Sequence, residues 1–168
     1  MTGAYDGTFN ICVAMCDGNR GIGLAGHHPW PSLPSDFRYY MTLTGTPNEK
    51  GKVSVNIKGR VTWEGSSELE RHRPGVINIL ISRKLKEPPD EAVESVFPTL
   101  QDAVDYLSTS AAFLSMIDTV WIMGGEDIYR EAINHPACKR IYLTRIYGSF
   151  PSDRFLAGFE NKFQQIDQ

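Results

Sequence analysis

The chain has 168 residues, 41% of them hydrophobic and 22% charged, with a net charge of −3. That length and composition fit a single globular domain with a sizeable core, and argue against wholesale disorder. No Lys/Arg run offers a phosphate-neutralising face, and no apolar stretch approaches the roughly 20 residues that span a bilayer, so nucleic acid and membrane are excluded as expected partners.

The N-terminus "MTGAYDGTFN" has no basic region followed by an apolar core, so it does not read as a signal peptide. "FNICVAMC" reads as a buried strand ending at the turn-like "DGNRG". Its Cys12 and Cys16 share one face. With Cys138 they make an odd, sparse set and no disulfide framework, and no matching Cys/His pair follows to complete a metal site. Buried thiols, no metal and a cytoplasmic setting are the expectation.

Ser32 or Ser35 is placed to cap a helix over Asp36 to Leu43. "KVSVNI" reads as a strand, "GRVTWEGSS" as a short helix entered through Gly59, and "VINILIS" as a strand covered on both faces. "AVESVF" is a further strand. Thr99 then reads as an N-cap, with Leu100, Ala103, Val104 and Leu107 at helical spacing. "DTVWIM" (strand), Gly124-Gly125 (turn), "EDIYREAI" (helix), "RIYLTRIY" (strand) and "NKFQQI" (last strand) complete the order. Regular alternation of this kind predicts an α/β fold, a mainly parallel sheet flanked by helices.

Three stretches have the chemistry of a phosphate site. "MGGEDIY" joins strand to helix through two glycines, which let backbone approach a ligand at a helix N-terminus. "GRVTW" puts Arg60 and Thr62 at a similar junction, and "ISR" ends a strong strand with Ser82 and Arg83. Each alone also reads as a turn, a cap or a solvated arginine. Recurring at strand ends, together they favour a phosphorylated dinucleotide. Asp36 is the other candidate. It lies on one helix face with Tyr39, Tyr40 and Leu43, beside Phe37. It reads either as a first-turn acid facing the helix dipole, or as a carboxylate lining an apolar pocket that holds an amidine-like edge and helps protonate a substrate. No serine sits in a nucleophile elbow, and His27, His28, His72 and His135 lack ligand spacing.

These residues resemble the dihydrofolate reductase family. "VAMCDGNRGIGLAGHHPWPSLPSDFRYY", "GRVTWE", "INILISR", "VWIMGGEDIY" and "YLTRI" follow in the family's order, over roughly residues 9 to 160. The resemblance implies NADPH-dependent reduction of dihydrofolate, with dihydrofolate and antifolates as the small-molecule partners of a monomer. It implies that Asp36 binds the pterin's amino and ring N–H edge and assists protonation of a ring nitrogen. Trp30 would order a water there, and Thr144 would hydrogen-bond the acid. Phe37 and Tyr40 would wall the pterin and aminobenzoyl groups, and the carbonyls of Cys12 and Met123 would face the ring. Ala14, Ile22 and Gly23 would border the nicotinamide. Gly59, Arg60, Thr62, Ser82 and Arg83 would hold the cofactor phosphates, with Gly124, Gly125 and Tyr129 completing that side.

The chain also departs from the family pattern. Val76 stands where an arginine clamps the substrate's glutamate, with Arg71 or Arg73 as substitutes. Asn56 and Lys58 replace apolar strand residues and need partners if buried. Gly65-Ser66 replaces Ser-Ile, and His28 precedes Pro-Trp beside Asp36. The chain stops at Gln168, before the family's last antiparallel strand, so the single domain over residues 1–168 is either a shortened one or one whose sheet closes differently. Two further readings stay open: a relative that binds NADPH or folate without turnover, and a pyrimidine reductase of the same fold.

Overall fold

The computed structural model describes residues 4–166. Strands β1 (Phe9–Cys16), β3 (Val53–Gly59), β4 (Val76–Ile81), β5 (Val93–Phe97), β6 (Ile117–Ile122) and β7 (Cys138–Ile146) form one sheet in the order β5-β4-β3-β6-β1-β7. Every neighbouring pair in it is parallel. The sequence expectation of a mainly parallel α/β sheet is therefore met. A separate two-stranded antiparallel sheet pairs β2 (Gly21–Gly23) with β8 (Arg154–Phe155).

Alternation along the strands divides the core between the two faces. Ile11, Val13 and Met15 of β1, with Val55, Ile57, Ile79, Ile81, Val120 and Ile122, pack on one side. There they meet the helices α4 (Leu100–Thr109) and α6 (Glu126–Ile133). Thr99 caps α4 as its spacing predicts, accepting from the Asp102 N–H at 3.1 Å. On the other side, Cys12, Trp121 and Met123 pack against Tyr40 and Leu43 of α1 (Pro34–Gly45). Trp63 of α2 (Arg60–Glu64) packs on Leu80 and Val93.

Two expectations are corrected. Neither Ser32 nor Ser35 caps α1. Leu33 is the N-cap without a side-chain bond, and Pro34 starts the helix, having no N–H to satisfy. "NKFQQI" is not a strand: Lys162 and Phe163 donate to the Phe159 carbonyl in a turn. The chain just before it is held by Arg20, whose guanidinium donates to the carbonyls of Leu156 at 2.9 Å and Ala157 at 2.7 Å and lies over the Phe159 ring. Two further short helices, α3 (Glu68–Arg71) and α5 (Ala111–Leu114), complete the described fold.

Candidate active site

The carboxyl ends of β4, β3 and β6 lie side by side, and the three candidate phosphate stretches leave from them. Gly59 ends β3 and donates its N–H to the Gly124 carbonyl at 2.8 Å. The Gly124-Gly125 peptide is cis, and Gly124 has φ +111°. A Cβ on Gly59 would sit 3.0 Å from Ile128 Cδ1 and 3.6 Å from the Gly124 oxygen, and one on Gly125 would sit 3.5 Å from Thr62 Oγ1. The two glycine junctions thus form one cradle, with Thr62 on its rim. Without side chains at its floor, the cradle admits a ligand to the backbone itself.

Around the cradle, Arg60 is paired with Glu64 at 2.8 and 2.9 Å on a partly exposed face. Such an i,i+4 pair is worth about 0.3–0.5 kcal/mol, too little to withhold the guanidinium from a phosphate. Ser82 Oγ accepts from the N–H groups of Lys84 and Leu85, both at 3.1 Å, which folds the loop after β4 and leaves Arg83 exposed. Beneath Gly124 lies Tyr129, buried, its hydroxyl donating to the Cys12 carbonyl at 2.9 Å. One side chain of α6 thereby fixes both the glycine turn and the middle of β1.

Asp36 lies in the first turn of α1, half-buried, one helical turn before Tyr40. Its charge reaches Cys12, whose thiol burial pushes up to about 12, with Asp36 adding to the rise and Arg73 opposing it. The Cys12 thiol is therefore neutral and inert. Trp30 is buried, and the His28 ring leans on it at 5.0 Å. His28 keeps an accessible edge, but enclosure by the protein around it lowers its pKa, against the opposing pull of Asp36 and Glu70. It is the imidazole beside Asp36 that the sequence anticipates. Ala14 and Thr144 are register partners on β1 and β7, and both are half-buried. Among the described residues no hydrogen bond joins Thr144 to Asp36, which differs from the resemblance. Ile22 packs on the main core, and Gly23 pairs with Arg154. Phe37 is partly exposed, 6.2 Å from the Tyr40 ring.

Beyond Tyr40 the structure departs furthest from expectation. Arg73 does not reach outward. Its Nη1 donates to the Met41 carbonyl and to Thr44 Oγ1, both at 3.1 Å, and its Nη2 to Asn56 Oδ1 at 2.6 Å. Arg71 donates through Nη2 to the carbonyls of Trp63 at 2.9 Å and Glu64 at 3.1 Å and lies over the Trp63 ring, while its Nη1 stands 3.8 Å from Glu68. Lys58, 1% exposed, donates to Ser66 Oγ at 3.1 Å and lies 3.5 Å from Glu70 Oε2, which accepts from the Tyr40 hydroxyl at 3.0 Å. Desolvation pulls Lys58 down to about 8 although Glu70 resists. The polar residues that look anomalous one at a time satisfy one another. Asn56 also gives its amide N–H to the Thr44 carbonyl at 3.0 Å, and an isoleucine in place of Ser66 would strip Lys58 of its closest partner. Glu70 and Thr44 were not anticipated. No short-range pattern marks them, because their partners lie on other elements.

The dihydrofolate reductase family profile matches residues 9–168. The chain belongs to the dihydrofolate reductase family. The dihydrofolate reductase of Mus musculus is 40% identical over 144 residues, covering 86% of this chain and 76% of that one. That of Rattus norvegicus is 39% identical over the same shares, and that of Gallus gallus is 37% identical over 155 residues, 92% of this chain and 80% of the relative. The structure brings Gly59, Thr62, Gly124, Gly125 and Tyr129 together, while Arg73 bonds to Met41, Thr44 and Asn56 and, among the described residues, Thr144 makes no hydrogen bond to Asp36. Among the described residues no helix is long and apolar enough to cross a membrane.

Proposed function

We propose that this chain reduces 7,8-dihydrofolate to 5,6,7,8-tetrahydrofolate with NADPH, acting as a cytoplasmic monomer on a small-molecule substrate. The observation that carries the reading is convergence. The Gly59–Thr62 and Gly124–Gly125 junctions meet in one cradle, and Tyr129 ties that cradle to Cys12, the residue whose titration feels Asp36. Cradle and acid therefore border the same stretch of β1.

The residues present fit the cofactor. Gly59, Thr62, Gly124 and Gly125 offer backbone and a hydroxyl to phosphates, and Arg60, Ser82 and Arg83 stand around them at adjacent strand ends. Ala14, Ile22 and Gly23 border the nicotinamide in this reading. When bound, NADPH supplies the hydride. Asp36 holds the pterin's amino and ring N–H edge and promotes protonation of a ring nitrogen, with Trp30 ordering a water beside the acid. Cys12, Met123, Phe37 and Tyr40 wall the ring, so most of the catalysis is positioning.

The test is NADPH oxidation by the purified chain with and without dihydrofolate, and with methotrexate. Folate-dependent oxidation that methotrexate stops supports the reading. The inward bonds of Arg73 and the lack, among the described residues, of a hydrogen bond from Thr144 to Asp36 favour one rival, a relative that binds NADPH without turnover. NADPH binding by a folded chain that oxidises none of it selects that rival.

A further inference from the structure

A buried ammonium joins the end of β3 to the wall of the cleft. Lys58 stands one residue before Gly59 of the cradle and is 1% exposed. Its Nζ donates to Ser66 Oγ at 3.1 Å, and Ser66 Oγ donates in turn to the Thr62 carbonyl at 2.9 Å. Nζ also lies 3.5 Å from Glu70 Oε2, the same oxygen that accepts from the Tyr40 hydroxyl at 3.0 Å. Tyr40 packs on the Cys12, Trp121 and Met123 cluster, one helical turn from Asp36. Lys58 thus reaches the cleft wall through a single carboxylate oxygen.

The charge is costly where it stands. Desolvation pulls Lys58 down to about 8, with Glu70 resisting and the guanidinium groups of Arg73 and Arg71 adding to the fall. The folded value lies below the free side chain's, so the ammonium lowers stability below pH 8, and stability alone does not account for a lysine here. What the ammonium supplies is a cation for Glu70. That side chain is 16% exposed, so water is its alternative. Paired with Lys58, the carboxylate stays against Tyr40. Without the cation it is better solvated when turned outward, and the Tyr40 hydroxyl loses its acceptor. Of the other groups around the cluster, burial holds Tyr40 well above its ordinary range and pushes Cys12 up to about 12, and it lowers His28 from 6.5. The carboxylate of Asp36 completes the charges on the cleft side.

We propose that Lys58 is a positioning residue for the substrate: its ammonium holds Glu70 against the Tyr40 hydroxyl and so fixes the wall that meets the pterin, and dihydrofolate binding weakens once that proton is lost. The inference rests on the reading of Asp36 and Tyr40 as the pterin end of the cleft.

The experiment measures the dissociation constant of 7,8-dihydrofolate from protein saturated with NADP+, which cannot turn over, at pH 7 and pH 9.5. It does so for wild type, Lys58→Met and Tyr40→Phe, and comparing the pH ratios cancels the ligand's own titration. Wild type is expected to weaken across that interval about fivefold more than either variant, the scale of one hydrogen bond. Lys58→Met removes a buried charge without stranding one, and Tyr40→Phe cuts the link at its far end while leaving the Lys58–Glu70 pair. The comparison therefore stands on either variant if the other does not fold. The direction separates positioning from a merely structural role, because the same rise in pH makes the wild-type fold more stable. Weakening of wild type within threefold of either folded variant overturns the positioning role and leaves the pterin reading intact. No dihydrofolate binding at pH 7 by the folded, NADP+-saturated chain overturns both.

Discussion

The two ends of the cleft are built from different materials. The cofactor end is backbone: two glycine junctions at adjacent strand ends, a Gly59 N–H on the Gly124 carbonyl, and one tyrosine beneath them. The far end is side chain: Asn56, Lys58, Ser66, Glu70 and Arg73 from β3, α3 and the connections around them, each satisfying another. A backbone site tolerates change in its neighbours and fails when a glycine gains a side chain. A side-chain network tolerates no single change, because each loss leaves a buried polar partner unpaired. The two ends should therefore break in different ways.

The largest effect belongs to the acid between them. Asp36→Asn should cut turnover about 100-fold or more below neutral pH, the usual scale for a general acid, while NADPH affinity stays nearly unchanged. Steady-state rates and a cofactor titration check both halves of that statement. Next is the cofactor end. Gly124→Ala places a Cβ 3.2 Å from the Tyr129 ring at φ +111°, and should cost about 1–3 kcal/mol in urea unfolding and weaken NADPH binding.

At the far end, Lys58 reports on itself through pH. Its pKa is about 8 folded against 10.5 for the free side chain. Between those values the unfolded chain binds more protons, so stability rises with pH across that window, by about 2 kcal/mol from pH 7 to 9.5. Below pH 8 the contribution is lost, because the buried group must carry its charge. Lys58→Met should remove that rise, which the difference between the two proteins' unfolding curves isolates from other titrating groups. The smallest effect is a gain: Val76→Arg offers an unspent guanidinium at the start of β4 and should tighten dihydrofolate about tenfold, measured by calorimetry.

The same contrast explains what could be read without coordinates. Strands such as β1, β4 and β6 were legible because each is a short, largely apolar run between turn residues. The Thr99 cap and the Gly59 and Gly124-Gly125 junctions were legible because their signals lie within a few residues. The start of α1 was misread because Pro34 removes the need for the serine cap that Ser32 and Ser35 suggest. "NKFQQI" was misread as a strand because nothing local reveals that Arg20, more than 130 residues earlier, holds the chain before it. Strand β2 has three residues and β8 two, too few to carry a pattern. The far-end network escaped for a like reason. Asn56 and Lys58 were visible as polar residues in a strand, but their partners Arg73 and Glu70 lie 17 residues away in one case and on α3 in the other.

At the far end Arg73 spends both terminal nitrogens inside the protein and is not aimed at a glutamate tail. The most direct test is to titrate the NADPH-bound wild-type protein with 7,8-dihydrofolate and with 7,8-dihydropteroate, which lacks the glutamate. The two dissociation constants are expected to agree within about twofold, since a tail without a charged partner adds little net binding. Dihydrofolate binding tenfold or more tightly than dihydropteroate would mean that a guanidinium or ammonium does meet the tail, and would contradict that expectation.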